Sequence, residues 1–326
     1  MEVGLSGKKA PKSSSEVVAG KEFFYEQIDP QKPQVRTQIG VEVIERLYGH
    51  GGVVICLVNL PQLSGKHVHL FKMVFGAEMQ GVAQTLLERE RQISAALFSD
   101  PRDTCPFVAK NYGIIAIASD PQNPQRSIYA LHNKWYPLGN LSQGLGTLGT
   151  RSYRDFVPEE EFKTYMKSAL EGLMFIHRKG VTHRDIKPEN ILVDGCFSVL
   201  TDFGSSKIVL SGAGNMTFVN TKIYAAPEQL NLKNAGDNQV QAAFTNACDI
   251  WSLGLTFYQL LTSVLPDHFN NQYRQNGQIR FPKEPVISPQ LRQTLQNMIQ
   301  LNPNNRPSAA DLLRTDYFMR ITYPTS

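Results

Sequence analysis

The first part of the chain alternates short apolar runs with turn-forming residues, a pattern that predicts β-strands. A β-branched run at 53–58 follows a glycine cluster, and 67–72 reads as its returning strand. Further strands are predicted at 113–118 and 127–131. Residues 84–97 carry apolar side chains among charged ones, which predicts an amphipathic helix. This part of the chain is therefore expected to be a small sheet accompanied by one helix.

After Pro137 the apolar residues follow helical spacing. Residues 159–178 place large apolar side chains three or four positions apart, which predicts a long helix with one buried face. Other helices are predicted at 250–261, 288–301 and 309–313. A β-rich region followed by a helical one indicates an α+β arrangement.

Composition indicates a globular chain and argues against nucleic acid as a partner and against a membrane span. Hydrophobic residues make up 41% of the 326 positions, which is enough for a core and excludes a chain disordered throughout. The 33 basic and 29 acidic side chains leave a net charge of only +4, too little to predict nucleic acid as a partner. No apolar run approaches the roughly 20 residues that span a bilayer, so no membrane span is expected.

The cysteines predict a reducing compartment. Cys56, Cys105, Cys196 and Cys248 lie far apart, without the spacing of a zinc site. Four thiols in a chain of 326 residues do not suggest a disulfide framework. Because the N-terminal residues also lack the apolar stretch of a secretory signal, we expect an intracellular, cytoplasmic protein.

One ordered set of motifs carries the chemistry. Residues 183–190 read His-Arg-Asp-Ile-Lys-Pro-Glu-Asn, and 202–204 read Asp-Phe-Gly. Ala-Pro-Glu follows at 226–228, and Asp-Ile-Trp-Ser-Leu-Gly at 249–254. Any one of these motifs alone is unspecific, but the ordered set is very specific. Over about residues 40–318 the chain resembles the eukaryotic-type protein kinase family.

The resemblance implies a two-lobed protein kinase-like fold of the α+β class, with a small β-rich N-lobe and a larger α-helical C-lobe. The N-lobe would span about 38–136 and the C-lobe about 137–318, which together form one kinase domain over 38–318. Residues 1–37 would form a flexible N-terminal tail, and 319–326 a C-terminal tail. ATP and Mg²⁺ would bind in the cleft between the lobes.

The resemblance assigns the transfer of the phosphoryl group to four residues. Asp185 would accept or orient the proton of the substrate hydroxyl, and Lys187 would lend positive charge to the γ-phosphate. Asn190 and Asp202 would supply oxygen ligands for Mg²⁺. Each residue taken singly could cap a turn in a loop, but that alternative does not account for the whole constellation at this spacing.

The resemblance also assigns nucleotide contacts upstream. Lys72 would bind the α- and β-phosphates. Its helix partner would be Glu90 rather than Glu88, whose side chain points about 200° away on the helix. A glycine-rich loop would let the backbone approach the phosphates closely. The glycines of this loop are Gly49, Gly51 and Gly52.

Cys56 and Leu70 are expected to form a roof over the adenine, with Leu192 as the floor. The chain departs here from the family pattern, because Val54 stands where a third glycine is usual and Leu70 where alanine is usual. Ser94 stands four residues after the helix glutamate, where the family has an apolar residue of a hydrophobic spine. Either this spine is weakened, or the helix register differs by one.

Two threonines are expected to act in the activation segment. Thr221 would hydrogen-bond Asp185 and Lys187, which favours serine/threonine acceptors over tyrosine. Thr217 stands where the family commonly carries an activating phosphate. That group would add a charge of about −1.5 to −2 and pair with Arg184. The alternative for Thr221 is an ordinary threonine in a turn. The alternative for Thr217 is a loop threonine that is not phosphorylated.

Three residues are expected to be structural rather than chemical. Asp249 would accept backbone hydrogen bonds from the turn at 183–185. Glu228 would form a buried ion pair with Arg306, and losing one partner of such a pair typically costs about 3–5 kcal/mol.

These residues favour an ATP-dependent serine/threonine protein kinase that uses Mg²⁺ and phosphorylates hydroxyls of protein substrates. A pseudokinase that binds nucleotide as a scaffold is the alternative, motivated by the departures at 54, 70 and 94 and opposed by the intact Lys72 and Asp185. A kinase for a small molecule or lipid is opposed by the segment at 221–228, which suits a peptide. The sequence leaves the substrate, the upstream activator and the oligomeric state open.

Overall fold

The computed structural model divides the chain into two compact units. The smaller takes the chain up to Ala95 together with Ala109–Trp135, and the larger takes Ala96–Val108 and Tyr136–Ser326. The residues that the structure describes are 22–29, 32–50, 53–60, 68–75, 82–118, 128–144, 158–208, 223–230, 245–262, 279–281, 283 and 286–323. Within these ranges no helix is long and apolar enough to cross a membrane.

The smaller unit contains a six-stranded antiparallel sheet and one helix. Its strands are β1 (Glu22–Asp29), β2 (Lys32–His50), β3 (Val53–Asn59), β4 (Val68–Phe75), β5 (Asn111–Ala118) and β6 (Ile128–Lys134). They lie in the order β1-β2-β3-β4-β6-β5. Helix α1 (Val82–Leu97) joins β4 to β5 along the chain. Every strand and helix predicted in this region is present, within a few residues of its predicted bounds.

Alternation along the strands gives the sheet two unlike faces. Cys56 of β3 pairs with Phe71 of β4, and both are fully buried. Leu57 pairs with Leu70. Lys72 lies on the same face as Leu70, because side chains two positions apart share a face of a strand. One face therefore forms core, and the other presents Lys72.

The N-terminal boundary differs from the prediction. β1 pairs with the first half of β2, as in the pairing of Phe24 with Gly40. Residues 22–29 and 32–37 therefore lie in paired strands and not in a flexible tail. Its aromatic and β-branched residues favour strands, a local signal that outweighs the polar residues around them. Residues 1–21 lie outside the described residues.

The larger unit is mainly helical. Its described helices are α2 (Leu141–Gly144), α3 (Glu159–Arg178), α4 (Pro227–Leu230), α5 (Asn246–Thr262), α6 (Pro289–Met298), α7 (Ala309–Leu313) and α8 (Asp316–Met319). Two short antiparallel pairs accompany them, β7 (Val181–Thr182) with β10 (Lys207–Ile208) and β8 (Ile191–Asp194) with β9 (Phe197–Leu200). A β-rich unit and a helical unit confirm the predicted two-lobed α+β fold.

Helix α3 has the predicted bounds and supplies much of the core of the larger unit. Pro158 precedes it and three glutamates occupy its first turn, where carboxylates stabilise the helix dipole. The apolar side chains that it buries completely are Met166, Ala169, Leu170, Leu173 and Ile176. At Gly172 an added Cβ would lie 2.7 Å from the carbonyl oxygen of Phe107. Glycine is therefore required where α3 approaches that segment.

The segment 96–108, which contains the last two residues of α1 and the stretch after it, belongs to the larger unit and not to the predicted N-lobe. The backbone N–H of Leu200 donates to the carbonyl of Phe107 at 2.9 Å, and Val108 forms a parallel bridge with Leu200. These contacts join residues distant in the sequence, so the pattern of apolar positions does not reveal them.

The C-terminal tail, predicted over 319–326, also needs correction. Met319 ends α8, and the carbonyl of Ile321 accepts a hydrogen bond from Lys167 of α3 at 2.9 Å. Residues 319–323 therefore pack on the larger unit, and 324–326 lie outside the described residues.

Candidate active site

Lys72 and Glu90 form an ion pair within the smaller unit. The Nζ of Lys72, on β4, lies 3.0 Å from Oε2 of Glu90, on α1. Glu90 is only 7% exposed, so its carboxylate needs a compensating charge, which the ammonium supplies. The structure thus brings together the two residues that the sequence singled out at a separation of 18 positions.

The same pair decides the register of α1. Because Glu90 faces Lys72, Ser94 does stand one helical turn later on the same side, and the alternative of a shifted register is wrong. Ile93 and Leu97 are the buried apolar residues of this part of the helix, at 2% and 0% exposure, whereas Ser94 is half-buried. The departure at Ser94 is therefore a real feature of the chain.

The sheet register corrects one residue of the expected adenine roof. Cys56 lies with Phe71 on the core face, opposite to the face of Lys72. Burial raises the pKa of its thiol to about 11, as befits a neutral core group. Leu57, which pairs with Leu70, takes the position on the Lys72 face. Period-two alternation combined with the strand register is the signal that identifies Leu57.

Gly49 lies near the turn that joins β2 to β3. It pairs with Val54, and His50 pairs with Val53, which leaves a two-residue connection. Such connections favour glycine. Gly51 and Gly52 occupy this connection and lie outside the described residues. Val54, which stands where the family has a third glycine, is fully buried.

Asp185, in the larger unit, is held by two donors. The Nζ of Lys187 lies 2.9 Å from its Oδ2. The side-chain amide of Asn190 donates to the same oxygen at 2.9 Å and to the Asp185 carbonyl at 2.8 Å. Among the residues that the structure describes, no donor reaches Oδ1. One carboxylate oxygen is therefore fixed, and the other is left to accept a hydrogen bond from a hydroxyl.

His183 holds the turn that carries Asp185. Its Nε2 lies 2.9 Å from the carbonyl oxygen of Thr201, and its Nδ1 accepts from the N–H of Asp185 at 3.4 Å. Because a carbonyl only accepts and an N–H only donates, the ring carries its hydrogen on Nε2. The ring is fully buried, and its centroid lies 4.9 Å from that of Phe203.

Asp249 of α5 holds the backbone of the same turn. It accepts from the N–H groups of His183 and Arg184, both at 2.8 Å, and His177 Nε2 lies 2.9 Å from its Oδ2. Burial raises the pKa of the Asp249 carboxyl, but the hydrogen bonds that it accepts, led by that of His177, outweigh burial and lower it. The sequence did not single out His177, because its position at the end of α3 carries no motif signal of its own.

Two residues of this site have a left-handed backbone without being glycine. Arg184 has φ of 71° and Asp202 has φ of 62°. Such a conformation costs about 1–2 kcal/mol for an L-residue, so it persists only where surrounding bonds impose it. Strain of this kind gathers at functional sites. Here it occurs at the residue before Asp185 and at one of the two expected Mg²⁺ ligands.

The hairpin of β8 and β9 brings together the two expected Mg²⁺ ligands. Asn190 precedes β8, and the N–H of Thr201, next to Asp202, donates to the Asn190 carbonyl at 3.0 Å. Carboxylate and amide oxygens suit Mg²⁺, which usually keeps water and phosphate ligands as well. Among the described residues, no three His, Cys, Asp or Glu side chains form a metal-binding group. The residues present therefore fit an ion that also carries phosphate and water.

Leu192, the expected floor of the adenine site, lies in the middle of β8. Its neighbours Ile191 and Val193 are buried at 0% and 4% exposure, whereas Leu192 is half-buried. Alternation therefore turns Leu192 away from the core that its neighbours fill. Thr217 and Thr221 lie outside the described residues, and their roles stay predictions.

Glu228 and Arg306 form a bidentate ion pair. The Nη1 and Nη2 of Arg306 lie 2.5 and 2.8 Å from the two carboxylate oxygens of Glu228. Arg306 also donates to three backbone carbonyls, and its guanidinium lies 5.0 Å from the ring centroid of Trp251. The Arg306 side chain is 0% exposed, so these hydrogen bonds replace the ones that the guanidinium would make with water. This geometry suits the structural role predicted for the pair.

Comparison with known proteins gives a match that agrees with this geometry. The family described as "Protein kinase domain" matches residues 136–318, which include Asp185, Asn190, Asp202 and Asp249. The smaller unit lies outside the matched range, so the assignment of Lys72 and Glu90 rests on their geometry and their position in the sheet.

Several curated proteins are similar to the chain. The serine/threonine-protein kinase cds1 of Schizosaccharomyces pombe is 34% identical over 51% of this chain. RAD53 of Saccharomyces cerevisiae, also named a serine/threonine-protein kinase, is 32% identical over 48%. The meiosis-specific serine/threonine-protein kinase mek1 of S. pombe is 32% identical over 56%. The matches span only 37%, 21% and 41% of those proteins, respectively.

Proposed function

Because the chain belongs to the protein kinase domain family, we propose that it transfers the γ-phosphate of ATP to serine or threonine hydroxyls of protein substrates. The observation that carries this proposal is the position of Asp185. Lys187 and Asn190 both bind its Oδ2 at 2.9 Å, so the carboxylate is oriented before any substrate arrives. Preorganised groups of this kind lower the barrier because they need not reorient during the reaction.

Each residue of the catalytic loop has a distinct task in this proposal. Asp185 would orient the acceptor hydroxyl through Oδ1 and take up its proton as the oxygen attacks phosphorus. Lys187, which already contacts Asp185, would offset the negative charge on the transferred phosphoryl group. The bond between the γ-phosphorus and its bridging oxygen breaks, and ADP leaves.

ATP and Mg²⁺ belong to this proposal as the nucleotide and its counter-ion. Lys72, oriented by Glu90, would bind the α- and β-phosphates, and Asn190 and Asp202 would hold Mg²⁺. When bound, the ion neutralises charge on the phosphate oxygens. Leu57 and Leu70 of the smaller unit and Leu192 of the larger unit are the apolar groups proposed to contact adenine.

The choice of serine and threonine rests on Lys187 and on the expected role of Thr221. Curated relatives named as serine/threonine-protein kinases support the same choice. Thr217 is proposed as an activating phosphosite that pairs with Arg184, and unchanged activity in Thr217→Ala would refute that part. A cytoplasmic location is also proposed, supported by four free cysteines.

A pseudokinase is the less favoured alternative. Of the departures that motivated it, Val54 is a buried core residue, Leu70 pairs with Leu57 across the sheet, and Ser94 is half-buried on α1. The charged groups that a chain without turnover could dispense with are instead arranged in pairs, Lys72 with Glu90 and Lys187 with Asp185.

Radiolabelled ATP with a mixture of protein substrates tests the proposal. Wild-type protein should label protein on phosphoserine and phosphothreonine, and Asp185→Asn should not. Equal labelling by both would refute the proposal, as would label that appears only on phosphotyrosine or on a small molecule.

A further inference from the structure

Two histidines of the smaller unit, His69 and His132, face each other with their ring nitrogens. Nε2 of His132 on β6 lies 2.8 Å from Nδ1 of His69 on β4, and the ring centroids are 4.6 Å apart. At this separation only one of the two nitrogens can carry a hydrogen, since the other must accept it. At least one of the two facing nitrogens therefore already presents a lone pair.

Three hydrogen-bonded strands hold this histidine pair. His132 pairs with Phe71 of β4 on one side and with Gly113 of β5 on the other. His69 stands two positions before Phe71, so both histidines lie on the same face of the sheet. Side chains on a paired sheet are positioned more precisely than those on a loop, so the two nitrogens are kept close by the strands themselves.

Aromatic rings pack against the histidine pair and leave one side of it open to water. The ring centroid of His132 lies 5.2 Å from that of Phe71 and 4.7 Å from that of Tyr112 on β5. His132 is only 8% exposed, whereas His69 is half-buried and Tyr112 is 48% exposed. A small ion can therefore reach the pair from the side of His69, while the rings behind it keep His132 in place.

Both rings of the pair can offer a lone pair to a metal ion. A neutral imidazole carries its hydrogen on either nitrogen. Moving the hydrogen of the donor ring to its other nitrogen frees the second facing lone pair, and no proton is lost from the protein. Burial and the neighbouring His69 lower the pKa of His132 from 6.5 to about 4, which keeps its ring in the neutral form that metal ions bind.

The distance between the two nitrogens selects the kind of ion. Nitrogens bound at about 2.0 Å on neighbouring corners of a square-planar or octahedral ion are about 2.8 Å apart, whereas the tetrahedral angle of Zn²⁺ needs about 3.3 Å. The 2.8 Å between His69 and His132 matches the right-angled arrangement. Cu²⁺ and Ni²⁺ prefer this arrangement and bind imidazole well.

Two lysines near the histidine pair limit its affinity for a cation. Lys134 pairs with His69 across the strands, and Nζ of Lys110 lies 5.4 Å from the ring centroid of Tyr112. Both lysines are exposed, so water and salt screen much of their repulsion. Among the described residues no third His, Cys, Asp or Glu joins the pair, so water is expected to supply the remaining ligands.

We propose that His69 and His132 form a binding site for one divalent transition-metal ion with ligands at right angles, Ni²⁺ or Cu²⁺. The bound ion links β4 to β6 within the smaller unit. This site offers imidazole nitrogens, in contrast to the oxygen ligands expected from Asn190 and Asp202 for Mg²⁺. Because the two nitrogens come together only in the folded chain, the ion should also stabilise the fold.

Calorimetric titration of the full chain with Ni²⁺, without an added histidine tag, tests this proposal. We expect one ion at the histidine pair, and His69→Gln should weaken that binding by at least about tenfold. His50→Gln is the matched control and should bind as wild type does. The backbone of His50 pairs with Val53 at the start of β3, whereas that of His69 pairs with Val58 near its end.

A second variant and a second ion keep the test decisive. His132→Phe removes the other ligand but keeps an aromatic ring beside Phe71, so it serves where His69→Gln does not fold. Electron paramagnetic resonance of bound Cu²⁺ should show two coordinating nitrogens in wild type and fewer in either variant. Zn²⁺ should bind wild type more weakly than Ni²⁺ does.

The results either support or overturn the site. Weaker Ni²⁺ binding in both His69→Gln and His132→Phe, with binding kept in His50→Gln, supports it. Ni²⁺ affinity unchanged in either variant of the pair would overturn it, and the two rings would then share only an ordinary hydrogen bond. Tighter binding of Zn²⁺ than of Ni²⁺ would overturn the right-angled geometry. None of these measurements involves phosphate transfer, so their outcome is independent of the proposed function.

Discussion

The Nζ of Lys187 and the side-chain amide of Asn190 both lie 2.9 Å from Oδ2 of Asp185. Two donors on one carboxylate oxygen leave the other free to face a substrate, so the aspartate is oriented by its neighbours and not by the ligand. The turn that carries it is held in the same way, by Asp249 and by the buried ring of His183. The turn that carries Asp185 is therefore ordered by contacts within the chain itself.

Replacing Glu90 should impair activity through Lys72. In Glu90→Gln the ammonium of Lys72 loses the carboxylate that lies 3.0 Å away, so the contact proposed between Lys72 and the phosphates should weaken. We expect the KM for ATP to rise and kcat/KM to fall by about 10- to 100-fold, measured by steady-state kinetics.

Glu88→Gln is the matched control, because it changes the same residue type two positions earlier in α1. It should retain activity close to wild type. An equal loss in both variants would show that the effect comes from the charge of the helix and not from the ion pair with Lys72.

The ion pair of Arg306 with Glu228 should be worth several kcal/mol of stability. Arg306→Ala leaves the Glu228 carboxylate and three carbonyls without their donor, and we expect the free energy of unfolding to fall by about 3–5 kcal/mol. Urea unfolding followed by circular dichroism measures this change. Arg314→Ala removes an exposed ion pair with Asp311, where the Arg314 side chain is 77% exposed, and should cost less than about 1 kcal/mol. Similar losses in the two variants would contradict the account.

His132 should make stability depend on pH. Burial and the neighbouring His69 lower the pKa of His132 from 6.5 to about 4, whereas the unfolded chain keeps the ordinary value. Between these values the unfolded chain binds a proton that the folded chain does not. The free energy of unfolding should therefore fall as the pH drops from about 6.5 to about 4, by at most about 3 kcal/mol.

His132→Phe removes the titrating group and keeps an aromatic ring beside Phe71. Urea unfolding at several pH values should show a shallower slope in this variant across the same window. An unchanged slope would assign the pH dependence to other histidines.

Asp249→Asn should destabilise the catalytic turn. The amide group brings a donor to a position where the N–H groups of His183 and Arg184 already donate, so one buried donor loses its acceptor. We expect a loss of about 2–4 kcal/mol in the free energy of unfolding and a lower kcat. Asp316→Asn, which changes an exposed aspartate, is the control and should alter neither quantity.

Four helices of the larger unit were predictable from the sequence, whereas the four-residue helices α2, α4 and α8 were not. α3 and α7 have the predicted bounds; an amphipathic pattern defines α3, and a capping box of Ser308 with Asp311 begins α7. α5 begins at Asn246, four residues before the predicted start at 250, because its first turn is buried by tertiary contacts. The predicted helix at 288–301 is shorter in the structure and ends at Met298.

The features that sequence reasoning missed depend on pairing between distant residues. Leu57, and not the predicted Cys56, lies on the same face of the sheet as Lys72. This follows from the strand register, which motif spacing does not encode. The segment 96–108 belongs to the larger unit because its Phe107 binds the backbone of Leu200. The ring of Tyr323 packs against those of Phe107 and Phe197, which lie far away in the sequence. By contrast, the pairs Lys72–Glu90 and Glu228–Arg306 were predictable, because the ordered motifs of the kinase resemblance assign them.

The most direct test of the central claim is the rate of phosphate transfer in Asp185→Asn. Transfer of the γ-phosphate from radiolabelled ATP to protein should be followed in a single turnover, with the Kd for ATP measured in parallel by equilibrium binding. The account predicts a rate at least about 100-fold below wild type with the Kd for ATP nearly unchanged, since Asp185 acts on the acceptor hydroxyl. Equal transfer rates in wild type and Asp185→Asn would contradict it.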